Sequence, residues 1–283
     1  MARTRARPGF GKTTAVVLSA IVFNSAAWAQ VAVPAAPSTP PSAGAVLSSP
    51  YSPECRVGNT EIANELPLPN VARALQSRKS IKILAIGASS FRHRGRAGYT
   101  ALIETMLEQA LKGIDVVMIN RGVSGELAAD AQVRIKNEVA INEPDLVLWQ
   151  VGTNDALAFV PLEDLRATVS ETVQWLREHN VDVVIAGLQY VDRMAQDAHY
   201  KAVRQLLRQT AVDKNVIIIR RYEAMQMIAQ AAMPSGTFAA DEFERTDPGY
   251  QCLAQYLARA ITLGVFGKGL RPPLRNDQPP SQR

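Results

Sequence analysis

At 283 residues the chain suits one domain of ordinary size with extensions. Its formal net charge of +5 belongs mostly to Arg3, Arg5, Arg7 and Lys12, and without those four cations it is +1. That balance, with no basic stripe interleaved with aromatic residues, argues against nucleic acid as a partner.

Residues 1–29 read as a secretory signal. A cationic start, "MARTRARPGFGKTT", precedes the apolar "AVVLSAIVF" and small residues at Ala27 and Ala29, so cleavage is expected after Ala29. The apolar run falls short of the about 20 residues that a membrane span needs. The expectation is a periplasmic or secreted chain with no stable membrane span; an uncleaved anchor is the alternative. "GFGKTT" hints at a P-loop, but Ala6 stands where the first glycine would fall and no strand precedes it. Residues 30–53, rich in Ala, Pro and Ser, form a linker. Residues 54–267 carry the domain, and 268–283 are a basic, Pro-rich tail.

Within the domain, "IKILAI" (81–86), "IDVVMIN" (114–120), "DLVLWQV" (145–151), "DVVIAGL" (182–188) and "NVIIIR" (215–220) are β-branched runs with little polar alternation. They predict strands buried on both faces of a parallel sheet. Amphipathic stretches alternate with them: "YTALIETMLEQALKG", "ELAADAQVRIKNEVAI", "LEDLRATVSETVQWLREHN", "AHYKAVRQLLRQTAV" and "GYQCLAQYLARAITLG". The alternation predicts a three-layer α/β/α domain with a five-stranded parallel sheet and right-handed crossovers. The two cysteines, Cys55 and Cys252, can form one disulfide in an oxidising compartment, tying the N-terminal arm to the last helix. Two unconnected thiols are the alternative.

Functional residues in such sheets sit on loops at the carboxyl ends of the strands. "GASS" (87–90) follows the first strand, and a serine there can project its hydroxyl. The same residues also suit a plain turn or a phosphate cradle, as in a flavodoxin-like nucleotide binder. "NRGVSGE" (120–126) places Gly122 and Gly125 after the second strand, where a glycine lets a backbone N–H approach an oxyanion or makes a turn. "GTND" (152–155) places Asn154 after the third, as an amide donor or as turn chemistry. "QYVDR" and the stretch 223–240 are read as loops. No Cys/His set has metal-ligand spacing, and neither a metal nor a cofactor is expected.

The order and placement of these motifs, with "DEFERTDPGY" before the last helix, resemble the SGNH/GDSL hydrolases over residues 80–265. The "Tyr-x-Cys-Leu-Ala" end resembles secreted bacterial members. The resemblance implies a flavodoxin-like fold and a serine ester hydrolase acting on acyl esters of a glycan or small molecule. It implies Ser89 as nucleophile, the Ser89 and Gly125 N–H groups with the Asn154 side chain as oxyanion hole, and Asp241 as the acid of the closing motif. Two positions depart: Ala88 replaces the usual Asp before the nucleophile, and Glu244 replaces the usual His.

The second departure bears on activity. Imidazole titrates near working pH and bridges serine to aspartate; a carboxylate near pKa 4.3 is a weaker base and would sit beside the like charge of Asp241. A proton shared between Asp241 and Glu244 would mitigate this. Of the three histidines, His179 ends a helix, His199 is expected on a solvated helix face, and only His93, four residues past Ser89, could fold back. Flanked by Arg92, Arg94 and Arg96, it suits an anionic or sugar-rich ligand or a solvated loop. The expectation is an ester hydrolase with a non-standard triad; the alternative is an inactive descendant that keeps the cleft to bind a glycan or partner.

Overall fold

Buried β-branched runs separated by amphipathic segments give alternating strands and helices. In the computed structural model, which describes residues 51–57, 62–88, 99–232 and 247–267, the strands are β1 (Ser80–Ala88), β2 (Asp115–Val123), β3 (Leu146–Gln150), β4 (Asp182–Ala186) and β5 (Ile217–Ile219). All pair in parallel, in the order β2-β1-β3-β4-β5. Every position of β3 and β4 is buried, as strands covered on both faces require. Edge strand β2 leaves Val117 and Val123 exposed.

Helices pack on both sides: α1 (Pro69–Ser77), α2 (Tyr99–Ala110), α3 (Ala128–Asn142), α4 (Thr153–Leu157), α5 (Leu162–Glu178), α6 (Ala198–Asp213), α7 (Arg221–Ala232) and α8 (Asp247–Phe266). The α/β/α expectation holds, with corrections. β2 runs on through Val123, so Gly122 lies inside the strand opposite Gly87 rather than in the following loop. Pairing with β1 draws in those residues despite their weak β propensity.

Residues 221–232 are helical where a loop is predicted. Tyr222, Met225 and Ile228 give that helix one buried stripe at helical spacing. Helix α1 carries no local cap either; its Asn70 and Val71 N–H groups both donate to the Asp182 carboxylate at 2.9 Å. That cap comes from β4, more than a hundred residues away, and no local pattern announces it.

The N-terminal arm is fixed to α8. A Cys55–Cys252 disulfide spans 197 residues of sequence, worth about 5 kcal/mol on the chain-entropy account before native strain is subtracted. Tyr51 and Ser52, inside the stretch read as linker, pack on α8: the Tyr51 ring meets Tyr256 edge-on at 5.0 Å, and Ser52 N–H donates to Gln255 Oε1 at 2.9 Å. Farther along, Ala63 bridges antiparallel to Ile219 and Asn64 bonds the Val216 and Ile218 backbone, so the arm covers the β5 edge.

Candidate active site

The strand order reverses between β1 and β3, one connection running out to β2 and the other toward β4. In open α/β sheets ligands bind at such a crevice, outside the carboxyl ends of the strands. Here the two backbones come very close. Gly87 pairs with Gln150, has φ +107°, and a Cβ on it would lie 2.0 Å from the Gln150 carbonyl oxygen. Only glycine fits, and the chain passes from Ala88 directly to Ser89 at this point.

The loop after β2 and the start of α4 form one wall of the rim. Gly125 is exposed in a turn with φ +77°. Asn154 Nδ2 donates to the Glu126 carbonyl at 2.9 Å. Beneath it, the Asp155 carboxylate accepts the Ala128 N–H at 2.8 Å and the Gly152 N–H at 3.1 Å. Burial pushes the Asp155 carboxyl above its ordinary range, against the pull of those N–H bonds. Two bonds therefore knit the β2–α3 loop and the start of α3 to α4, and the third braces the start of α4 itself. An amide nitrogen carries two hydrogens, and among the described residues the second hydrogen of Asn154 has no acceptor. Glu126, Gln150, Gly152, Thr153 and Asn154 line a shallow depression at this rim.

The Glu126 side chain is only 2% exposed and pairs with Arg134 of α3, whose other amine donates to the Arg121 carbonyl at 2.6 Å. On the far side, Thr153 Oγ1 accepts the Gln189 N–H at 2.9 Å, tying this wall to the loop after β4.

The flanks of the remaining two loops meet the same rim. Tyr99, the first residue of α2, donates its hydroxyl to Gln150 Oε1 at 3.1 Å. Its ring stacks on Tyr250, in the first turn of α8, with centroids 6.1 Å apart. Thus α2, which begins after the Ser89 loop, and α8, which begins after "DEFERT", are anchored to each other and to the end of β3.

Of the predicted site residues, Asn154 is bonded to the carbonyl of Glu126, the residue after Gly125. Ser89, Asp241 and Glu244 lie outside the described residues, as do His93, Arg92, Arg94 and Arg96. His179 closes α5, its Nδ1 lying 2.7 Å from the Trp175 carbonyl oxygen. His199 is half-buried against the exposed Phe159 ring at 5.3 Å, not on a fully solvated face. Sequence reasoning passed over Glu126, Arg134, Asp155 and Tyr99. The visible signals were the carboxylates inside "SGE" and "GTND", just past the carboxyl ends of two predicted strands.

A family model described as the non-GDSL lipase-like family matches residues 54–266. The chain belongs to that family. Within the wider SGNH/GDSL hydrolase superfamily, it is 23% identical over 188 residues to an acetylxylan esterase of Geobacillus stearothermophilus, covering 62% of this chain and 85% of that one. An arylesterase of Vibrio mimicus is 30% identical over 115 residues, covering 38% of this chain and 55% of the relative. Among solved structures, a lipase/acylhydrolase from Enterococcus faecalis superposes with a TM-score of 0.53 at 20% identity, covering 64% of this chain and 95% of that one. The acetylxylan esterase itself superposes at 0.51 and 21% identity, covering 64% and 94%. These superpositions bear on the fold.

No described helix is long and apolar enough to cross a membrane.

Proposed function

We propose that the chain is an exported ester hydrolase that removes an acyl group, such as O-acetyl, from a glycan or small molecule. Ser89 Oγ attacks the acyl carbon; the Ser89 and Gly125 N–H groups and Asn154 Nδ2 stabilise the oxyanion; the alcohol departs, and water releases the acyl group from Ser89. Asp241 and Glu244 act as a carboxylate pair, with Glu244 as base. The observation that carries this reading is the Asn154–Glu126 hydrogen bond, which holds the Gly125 loop and a side-chain amide at one rim. The names of the relatives support ester chemistry. So do two solved variants of the acetylxylan esterase, an Asp→Ala and a His→Ala three positions apart, each described as a catalytic mutant. Asp241 and Glu244 stand at that spacing. Export is supported by the pattern of residues 1–29 and by the Cys55–Cys252 bond.

The test is p-nitrophenyl acetate hydrolysis by the wild type, Ser89→Ala and Glu244→His. Wild-type turnover that vanishes in Ser89→Ala supports the proposal, and Glu244→His should raise kcat about 10²–10⁴-fold as imidazole supplies the base. The second reading, a cleft retained for binding, is favoured by Glu244 itself. It predicts a wild type without turnover that Glu244→His awakens. No Ser89-dependent turnover in either protein would sink the hydrolase assignment. For export, the periplasmic fraction should yield a chain beginning at Gln30.

A further inference from the structure

Glu126 is a buried carboxylate placed where it works against the proposed chemistry. It follows Gly125 directly, its carbonyl holds Asn154, and its side chain is 2% exposed. A bare negative charge there repels the charge that an acyl intermediate would place on the Gly125 and Asn154 donors. Arg134 answers it. One guanidinium amine meets Glu126 Oε1 while the other donates to the Arg121 carbonyl at 2.6 Å, so a single side chain clamps the loop to the end of β2. The neighbouring charges are occupied: Glu138 Oε2 accepts Arg121 Nε at 2.9 Å and Asn142 Nδ2 at 2.8 Å. Glu126 Oε2 has no partner among the described residues. Among them, Arg134 is the cation on which neutralising Glu126 depends.

We infer that Arg134, by neutralising the buried Glu126 carboxylate, keeps a competing anion away from the oxyanion hole, and in that way is a positioning residue for the Gly125 and Asn154 donors. This rests on the reading of those two groups as oxyanion donors. Removing Arg134 alone leaves a buried, unpaired anion beside them, whereas removing both charges leaves a neutral loop. The single change is therefore worse than the double one.

The experiment compares wild type, Arg134→Met, and Arg134→Met combined with Glu126→Gln, by p-nitrophenyl acetate kinetics and by two-dimensional amide NMR. Arg134→Met should lower kcat about 10–100-fold with KM within about two-fold, and the double variant should return to within about three-fold of wild type. In the spectra, the Gly125 backbone amide and the Asn154 side-chain amide should shift in Arg134→Met and return in the double variant. Should Arg134→Met not fold, Arg134→Lys keeps the charge but cannot hold both oxygens, and its losses should be smaller, below about ten-fold in kcat. Unmoved Gly125 and Asn154 resonances would overturn the inference whatever the kinetics. A double variant no better than the single would overturn it too. Resonances that move and return in a protein without Ser89-dependent turnover would leave the pair's role standing and remove the hydrolase reading.

Discussion

At the amino ends of the strands, each carboxylate oxygen of Asp145 and Asp182 meets a donor. Asp145 takes Arg78 and the Lys82 N–H, while Asp182 takes the Asn70 and Val71 N–H groups and the Asn70 amide. At the carboxyl ends, Glu126 keeps an oxygen unmatched and Asn154 an amide hydrogen, counting the described residues. Space does not separate the two rims as chemistry does. A cavity of about 220 Å³ opens at the amino end, yet Asn70, Arg177 and Asp182 on its wall are already bonded. Commitment of polar groups, more than volume, marks which end of the sheet holds the candidate site.

The sharpest way to break this comparison is at the crevice. Gly87→Val would push a branched side chain into the Gln150 carbonyl oxygen, 2.0 Å from where a Cβ would lie. The loss should exceed about 4 kcal/mol, seen as an insoluble or unfolded product. Gly125→Ala is the counterpart: its Cβ meets nothing within 4 Å. There the left-handed φ alone should cost about 1–2 kcal/mol in a denaturant titration. Equal losses at the two positions would mean the β1–β3 approach is not a constraint.

Next come two substitutions with opposite signatures. Asn154→Ala should lower kcat for an acyl ester about 10²–10³-fold while shifting the melting temperature little, because it removes a donor from a partly exposed amide. Asp182→Ala should leave kcat unchanged and cost about 1–3 kcal/mol, since it orphans the first N–H groups of α1. If Asp182→Ala impaired turnover as much as Asn154→Ala, the division between the rims would fail.

How much of this was readable in advance follows from where each interaction's partners lie. The strands announced themselves through local composition: "LVLWQ" and "DVVIA" are buried throughout and need no distant information. That the Gly125 loop and Asn154 share one rim was implied by the resemblance to the SGNH/GDSL hydrolases, since each residue alone suits a plain turn; the bond from Asn154 to the Glu126 carbonyl was not foreseen. The cap of Asp182 on α1 was not legible, because it depends on strand order: α1 precedes β1, while Asp182 opens β4. The clamp of Arg134 on Glu126 joins residues only eight apart, but nothing in the local pattern says that this arginine turns back to the loop. The helix over 221–232 was overlooked for a different reason. Its stripe of Tyr222, Met225 and Ile228 is present in the sequence, and Pro234 and Gly236 mark a stop after it, but no capping residue opens it.

The smallest effect concerns Asp155, which adjoins Asn154 in the wall of the candidate site. Burial raises its carboxyl pKa in the folded protein, while its bonds to Ala128 and Gly152 pull the other way. A raised value means that the native state holds the proton more tightly than the unfolded chain, whose carboxyl titrates near about 3.9. The stability this confers is complete below that unfolded value and is lost as pH rises through the folded one. Asp155→Asn removes the titration and one of the two acceptors. The missing acceptor gives a pH-independent offset, so only the slope of the difference is informative. Denaturation from about pH 3 to pH 7 should show the wild type losing stability relative to Asp155→Asn, then levelling once both states are ionised. The opposite slope would mean that the two N–H bonds outweigh burial at Asp155.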